Sequence, residues 1–190
     1  MSDRRGALAE LPMGTDAAGV SLREIMPGSI LQIQAWPHSL SVVQSAISEL
    51  LGLAAPAVGS TTSGDGQVLV AAIAPGRFLV TADASDLPER FAAALIAQDG
   101  VVTDLTHGRS VLRIEGDGAA AILGKCVAVD LDLAAFPPGR VAQTAIHHID
   151  VVLHRRDVSS FDLWALRSFA ESLAEWLLDA GAESRIVFTR

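Results

Sequence analysis

The stretch Val102-Thr-Asp-Leu-Thr-His-Gly-Arg-Ser-Val-Leu-Arg-Ile114 is the key to the architecture of this chain. It reads as a strand ending at His107, a pivot at Gly108 and a second strand from Arg109 to Ile114. In the second strand the polar Arg113 interrupts apolar residues such as Val111, the pattern of a strand in a half-buried sheet. The chain after the pivot repeats the pattern of the chain before it.

Ser29-Ile-Leu-Gln-Ile33 and Ser110-Val-Leu-Arg-Ile114 share one pattern, 81 residues apart, and each leads through a small, polar break to an apolar helix. A second pair lies 83 residues apart. Phe78-Leu-Val-Thr-Ala82 leads to a helix with Phe91 and Leu95, and Phe161-Asp-Leu-Trp-Ala165 leads to one with Phe169 and Leu173. Two matches at nearly one spacing indicate a doubled domain, the period being too long for a solenoid.

A chain of 190 residues has ample length for a core. Half of it is hydrophobic and 19% is charged, so it is globular. Its formal charge is −8, and Lys125 is the single lysine beside 13 arginines, so the basic footprint of a nucleic-acid binder is missing. The single cysteine, Cys126, excludes an internal disulfide. No apolar run reaches the length of a signal peptide core or a membrane span, and a cytoplasmic location is expected.

Residues 1–28 lack a sustained period and read as an N-terminal arm, with Ser21-Leu-Arg-Glu24 in capping-box form. The first half, 29–107, reads as βαββαβ. Its strands are Ile30–Trp36, Val68–Ala74, Arg77–Ala82 and Val101–His107. One helix, capped by Ser39, buries Leu40, Val43, Ile47, Leu50 and Leu51; the other, after Ser85-Asp86, buries Leu87, Phe91 and Leu95. Residues 54–67 read as an exposed loop. The second half, 108–190, retraces this order through a helix over 119–125 and strands at 142–147, 149–155, 161–166 and 185–188. Its last helix is capped by Ser168 and places Phe169, Leu173, Trp176, Leu177 and Ala180 on one face. The fold class is therefore α+β: duplicated split-βαβ, ferredoxin-like halves, each sheet with one open face, packed into one pseudo-symmetric body.

Candidate chemistry is sparse. His147, His148 and His154 with Asp150 suggest metal ligands, but alternation sends His147 and His148 to opposite faces of a strand, and polar strand residues are the better reading. His107, Arg109 and Asp104 could form a polar triad at the pivot, more simply a structural network. Cys126 comes after a helix end, which does not activate a thiol, and reads as a core residue. Neither a dinucleotide-binding glycine motif nor a P-loop is present. No catalytic, cofactor-binding or metal residue is assigned.

The pivot stretch, then Val129-Asp-Leu-Asp-Leu133, Phe136-Pro-Pro-Gly139 with Ala142-Gln-Thr144, Ile149-Asp-Val-Val-Leu153, Phe161-Asp-Leu-Trp164 and Arg167-Ser-Phe-Ala170 with Trp176-Leu177 together resemble the gamma-subunit family of heterotetrameric sarcosine oxidase. The match is good over residues 100–190 and one of general pattern before them. The resemblance implies the folate-binding-domain fold of the aminomethyltransferases. It also implies a non-catalytic structural subunit beside alpha, beta and delta subunits, in a complex that oxidatively demethylates sarcosine to glycine and passes the one-carbon unit to tetrahydrofolate. FAD, FMN, NAD, zinc and tetrahydrofolate are then expected on the other chains, and none on this one. Gly124-Lys-Cys-Val127 departs from the Lys-Gly-Cys-Tyr-x-Gly-Gln-Glu motif of the folate-binding relatives. That disfavours the alternative, a stand-alone folate-binding or aminomethyltransferase-like protein; a homodimeric scaffold is weaker still. Trp36, Trp164 and Ala134–Pro138 are candidate partner contacts, with core the better reading for Trp164.

Overall fold

The computed structural model describes residues 5–11, 13–14, 19–65 and 68–189. Its strands are β1 Ser21–Ile25, β2 Ser29–Ala35, β3 Thr61–Ser63, β4 Leu69–Ala74, β5 Arg77–Ala82, β6 Gly100–Asp104, β7 Arg109–Glu115, β8 Val141–Ile146, β9 Ile149–Asp157, β10 Ser160–Leu166 and β11 Val187–Thr189. The helices are α1 Leu40–Leu51, α2 Leu87–Ala94, α3 Ala119–Gly124 and α4 Ala170–Ala180. The chain divides into two compact units, Pro27–His107 and Met1–Met26 with Gly108–Arg190.

The Pro27–His107 unit carries a five-stranded sheet in the order β3-β4-β5-β2-β6, antiparallel at every step. Leaving out β3, that is the strand order of a split-βαβ fold, with α1 and α2 as its two crossovers. Alternation sends Leu31, Ile33, Val70, Phe78 and Val80 to the face where Val43, Ile47, Leu87 and Phe91 of the helices meet them. Gly100 allows β6 to approach, because a Cβ there would lie 2.2 Å from the Gln34 carbonyl oxygen. Strand β3 falls inside the segment read as a loop. Its Thr61-Thr-Ser63 has no apolar alternation to reveal it, and it holds its place by pairing with β4.

The other unit repeats this arrangement. Its sheet runs β8-β9-β10-β7-β1-β11. Aligned on β2 and β7, the sheets match strand for strand: β5 with β10, β4 with β9, β3 with β8. Both repeat pairs in the sequence fall on these equivalent strands. The departure lies at the sheet edge. The place that β6 holds beside β2 is held beside β7 by β1, from the N-terminal segment, and β11 pairs parallel on its far side.

The arm reading of residues 1–28 is therefore corrected at Ser21–Ile25, a strand and not a capped helix. Glu24 does not cap its own segment; its carboxylate accepts the backbone N–H groups of Ala7 at 3.0 Å and Leu8 at 2.9 Å. Leu8 is buried in the unit's core with Leu22, Ile114, Phe161 and Leu177. The expected side-chain caps also fail: Ser39 gives its hydroxyl to the Asp99 and Trp36 carbonyls, and α4 starts after a 3-10 turn over Arg167–Phe169, without a Ser168 cap. In α1, Leu40 is exposed, and Leu50 and Leu51 only flank the core. The buried stripe of α4 is Ala170, Leu173, Ala174 and Leu177, which leaves Phe169 and Trp176 outside.

Candidate functional site

Sheet register assembles side chains that the sequence keeps apart. In the β1-β7-β10-β9-β8 sheet, Leu22, Ile114, Phe161 and Leu163 face the helices. The opposite face is not open, as expected for a half-buried sheet, but carries buried residues in rows. One row is Val111, Trp164 and Val152. The next is Arg113, Asp162 and His154, all under a tenth exposed. Arg113 donates from Nε to Asp162 Oδ1 at 2.6 Å and from Nη2 to Oδ2 at 3.0 Å, a bidentate pair, with Arg156 Nε 3.8 Å from the same carboxylate.

Burial dominates the titration of this row. It pushes the Asp162 carboxyl up to about 6 against the pull of Arg113, and it lowers the His154 imidazole to about 4, with the Arg113 charge adding to the effect. A neutral imidazole beside a paired carboxylate has a proton acceptor's form. The carboxylate, however, is occupied by guanidinium groups and bonds to no hydroxyl or thiol among the described residues, so it orients no nucleophile.

The row before Val111 brings Arg109 towards Asp150, beside a shallow cavity of about 470 Å³ lined by Arg109, Gln143, Thr144, Asp150, Val151 and Val152. Burial lowers the Arg109 pKa and Asp150 opposes it. Asp104 and Arg109 each have a neighbour within their own unit. Asp104 accepts the Thr106 N–H at 2.8 Å in a local turn, and Arg109 has Asp150 as its charged neighbour.

Arg155 does the opposite of a ligand-binding arginine. It is 2% exposed, and its guanidinium donates to the carbonyls of Leu131, Phe136 and Val158, each at 2.8 Å, while lying over the Phe161 ring. Little is left for a substrate; the group ties the long 125–140 connection to the sheet. Phe136 is accordingly buried, which removes the centre of the expected Ala134–Pro138 contact. Trp164 is also buried. Trp36 remains 36% exposed and donates its indole N–H to the Ala97 carbonyl.

His147 and His148 form the β8–β9 turn and not a strand. His147 adopts φ 54°, its ring stacks on Trp176 with centroids 4.4 Å apart, and the His148 ring meets it edge-on. Beside them Cys126 bonds to the Ile122 carbonyl at 3.4 Å, and burial pushes its thiol up, away from the nucleophilic thiolate. Among the described residues no group of three or more His, Cys, Asp or Glu can hold a metal ion. Neither the Arg113–Asp162 pair nor the anchoring role of Arg155 leaves a signal in the sequence. Both depend on which residues become cross-strand neighbours.

Comparison with known proteins gives this geometry its context. Residues 39–183 match the model of the sarcosine oxidase, gamma subunit family. The chain is 32% identical over 188 residues to sarcosine oxidase subunit gamma of Corynebacterium sp. (strain U-96), covering 95% of this chain and 91% of the relative. With the corresponding subunit of Arthrobacter sp. it shares 33% over 179 residues, 93% and 87% of the two chains. Among solved structures, a chain of heterotetrameric sarcosine oxidase from Corynebacterium sp. U-96, in complex with pyrrole 2-carboxylate, superposes with a TM-score of 0.84 at 31% identity. That match covers 95% of this chain and 96% of that one. The glycine cleavage system aminomethyltransferase T of Bartonella henselae has a TM-score of 0.62 at 18% identity, over 90% of this chain and 48% of the enzyme, a likeness of fold.

Proposed function

The chain belongs to the sarcosine oxidase gamma subunit family, and from that premise we propose that it works as the gamma subunit of a heterotetramer with alpha, beta and delta chains. In this reading the complex oxidatively demethylates sarcosine to glycine and passes the one-carbon unit to tetrahydrofolate. FAD, FMN, NAD and tetrahydrofolate sit on the other subunits, and this chain has an architectural role in the cytoplasm. The observation that carries the proposal is end-to-end agreement: likeness to a chain of a heterotetrameric sarcosine oxidase extends over nearly all of both chains. The buried polar groups support the same role. Arg113, Asp162 and Arg155 are spent on each other and on backbone carbonyls, which stiffens a scaffold. Among the described residues no helix is long and apolar enough to cross a membrane.

The test is co-expression of this chain, tagged, with the alpha, beta and delta subunits of the same source. A stoichiometric complex that oxidises sarcosine is expected. Full assembly and activity of the other three chains in its absence would refute the proposal, and micromolar tetrahydrofolate binding by the isolated chain would favour a folate-binding protein in its place.

A further inference from the structure

We infer that the outer face of α4, centred on Trp176, is the surface that docks a basic, apolar-centred face of a partner subunit. The inference rests on the assembly proposed above and adds to it the face and the chemistry of the contact.

Helix α4 buries Ala170, Leu173, Ala174 and Leu177 and turns Glu171, Ser172, Glu175, Trp176 and Asp179 outward. Trp176 is 43% exposed, and Phe169, about two turns earlier, is 42% exposed. A half-exposed tryptophan on a helix is ordinarily free to change rotamer. This one is held. The His147 ring lies parallel to it within 2°, and His148 braces His147. His147 opens the two-residue β8–β9 turn with the left-handed φ of 54° that such a hairpin requires of its first turn residue, so its ring is carried on a fixed backbone. An aromatic that is both exposed and fixed loses little freedom on docking, and that is the character of an interface anchor.

The charge around it defines the partner. Glu171, Glu175 and Asp179 succeed one another at the i, i+4 spacing, so each neighbouring pair repels, and none of the three has an ion-pair partner among the described residues. The neighbouring cation Lys125 is engaged by Glu183 and the Ala180 carbonyl. Arginines or lysines around an apolar recess would relieve the repulsion while receiving Trp176 and Phe169. A second copy of this chain fits badly, because a twofold contact on this face sets carboxylates against carboxylates. The duplication supplies an internal control. The equivalent helix α2 turns Glu89, Ala92 and Ala93 outward, shows no exposed aromatic, and pairs its Arg90 with Asp86.

The experiment measures binding of the full chain to a purified alpha–beta–delta assembly from the same source, at low and high salt. It compares the native chain with Trp176→Ala, the double variant Glu175→Arg/Asp179→Arg, and Ile96→Ala as an exposed apolar control. Trp176→Ala is expected to weaken binding about 30-fold or more and the charge reversal about 10-fold, with a flatter salt dependence, while Ile96→Ala stays within about threefold. Thermal melts establish that each variant is folded. Should Trp176→Ala fail to fold, the charge reversal, which alters only exposed positions, carries the test. If the native chain does not bind, the assembly proposal fails. If it binds and both α4 variants bind within about threefold of it, this inference is overturned and the assembly proposal stands. A dimer of the isolated chain that Trp176→Ala dissociates would assign the face to a second copy and overturn it as well.

Discussion

Replacing Arg155 tests whether a buried cation in this protein serves structure alone. Its guanidinium makes three 2.8 Å bonds, to the carbonyls of Leu131, Phe136 and Val158, and a longer one of 3.4 Å to Asp157. It also covers Phe161 at 4.8 Å from the ring centre. A hydrogen bond from a charged donor contributes about 1.5–3 kcal/mol, so the three short ones amount to about 4.5–9 kcal/mol gross. Two corrections reduce this. Arg155→Leu also removes the penalty of burying a guanidinium, several kcal/mol, and the part-buried Leu131 and Val158 carbonyls can turn to water. The bond to Phe136 lies in a fully buried setting, and its loss strands an acceptor. The expected net loss is therefore about 4 kcal/mol, a large share of the stability of a domain this size. Urea unfolding followed by tryptophan fluorescence measures it, and limited proteolysis should show new cleavage within residues 125–140. Arg155→Lys keeps the charge and cannot span three carbonyls at once, so it should lose more than half as much. A leucine variant within about 1 kcal/mol of the native protein, with the 125–140 segment still resistant, would refute the anchoring role.

Other residues yield independent tests. His154, held near 4 when folded and near 6.5 when unfolded, binds its proton first in the unfolded chain, so its contribution is present above pH 6.5 and is lost as pH falls towards 4. In His154→Gln the stability lost between pH 7 and pH 4 should be smaller by about 3 kcal/mol than in the native protein, measured as a difference because Asp162, raised to about 6, titrates in the opposite sense. An unchanged difference across that range would mean that the imidazole is not desolvated. Ser110 is fully buried and its hydroxyl has no hydrogen-bond partner among the described residues, so Ser110→Ala should stabilise by about 1 kcal/mol, read from the urea midpoint. Gly100→Ala forces a methyl against the Gln34 carbonyl across the β2–β6 pair and should cost about 3 kcal/mol; a melting temperature near the native one would show that β6 can retreat without loss.

The legible and the hidden parts of this structure divide along one line. Local periodicity and repetition survive in one dimension: Leu31 and Ile33 alternate, Leu87 and Phe91 share a helical face, and Ser29 and Ser110 open equivalent strands, so the doubled split-βαβ pattern can be read directly. Register does not survive. Arg113 and Asp162 are 49 residues apart and meet only because Phe161 pairs with Ile114 and not with its neighbour; a slip of one residue would send Asp162 into the apolar core. The same ambiguity makes Arg113 look solvent-facing, since alternation identifies two faces and cannot say whether the second is also buried. Trp176 is hidden for a related reason. Phe169, Leu173, Trp176 and Leu177 fit one broad apolar stripe, whereas the inner face of the helix is in fact lined by the small residues Ala170 and Ala174 beside Leu173 and Leu177. Close helix–sheet packing favours those small side chains on the inner face, which rotates the helix and turns its largest aromatic outward. The most apolar reading of a helix therefore hides its most informative residue: once alanines are allowed to line the core, an exposed tryptophan needs a reason on the outside, and the fixed His147 stack beside three carboxylates without ion-pair partners among the described residues supplies one.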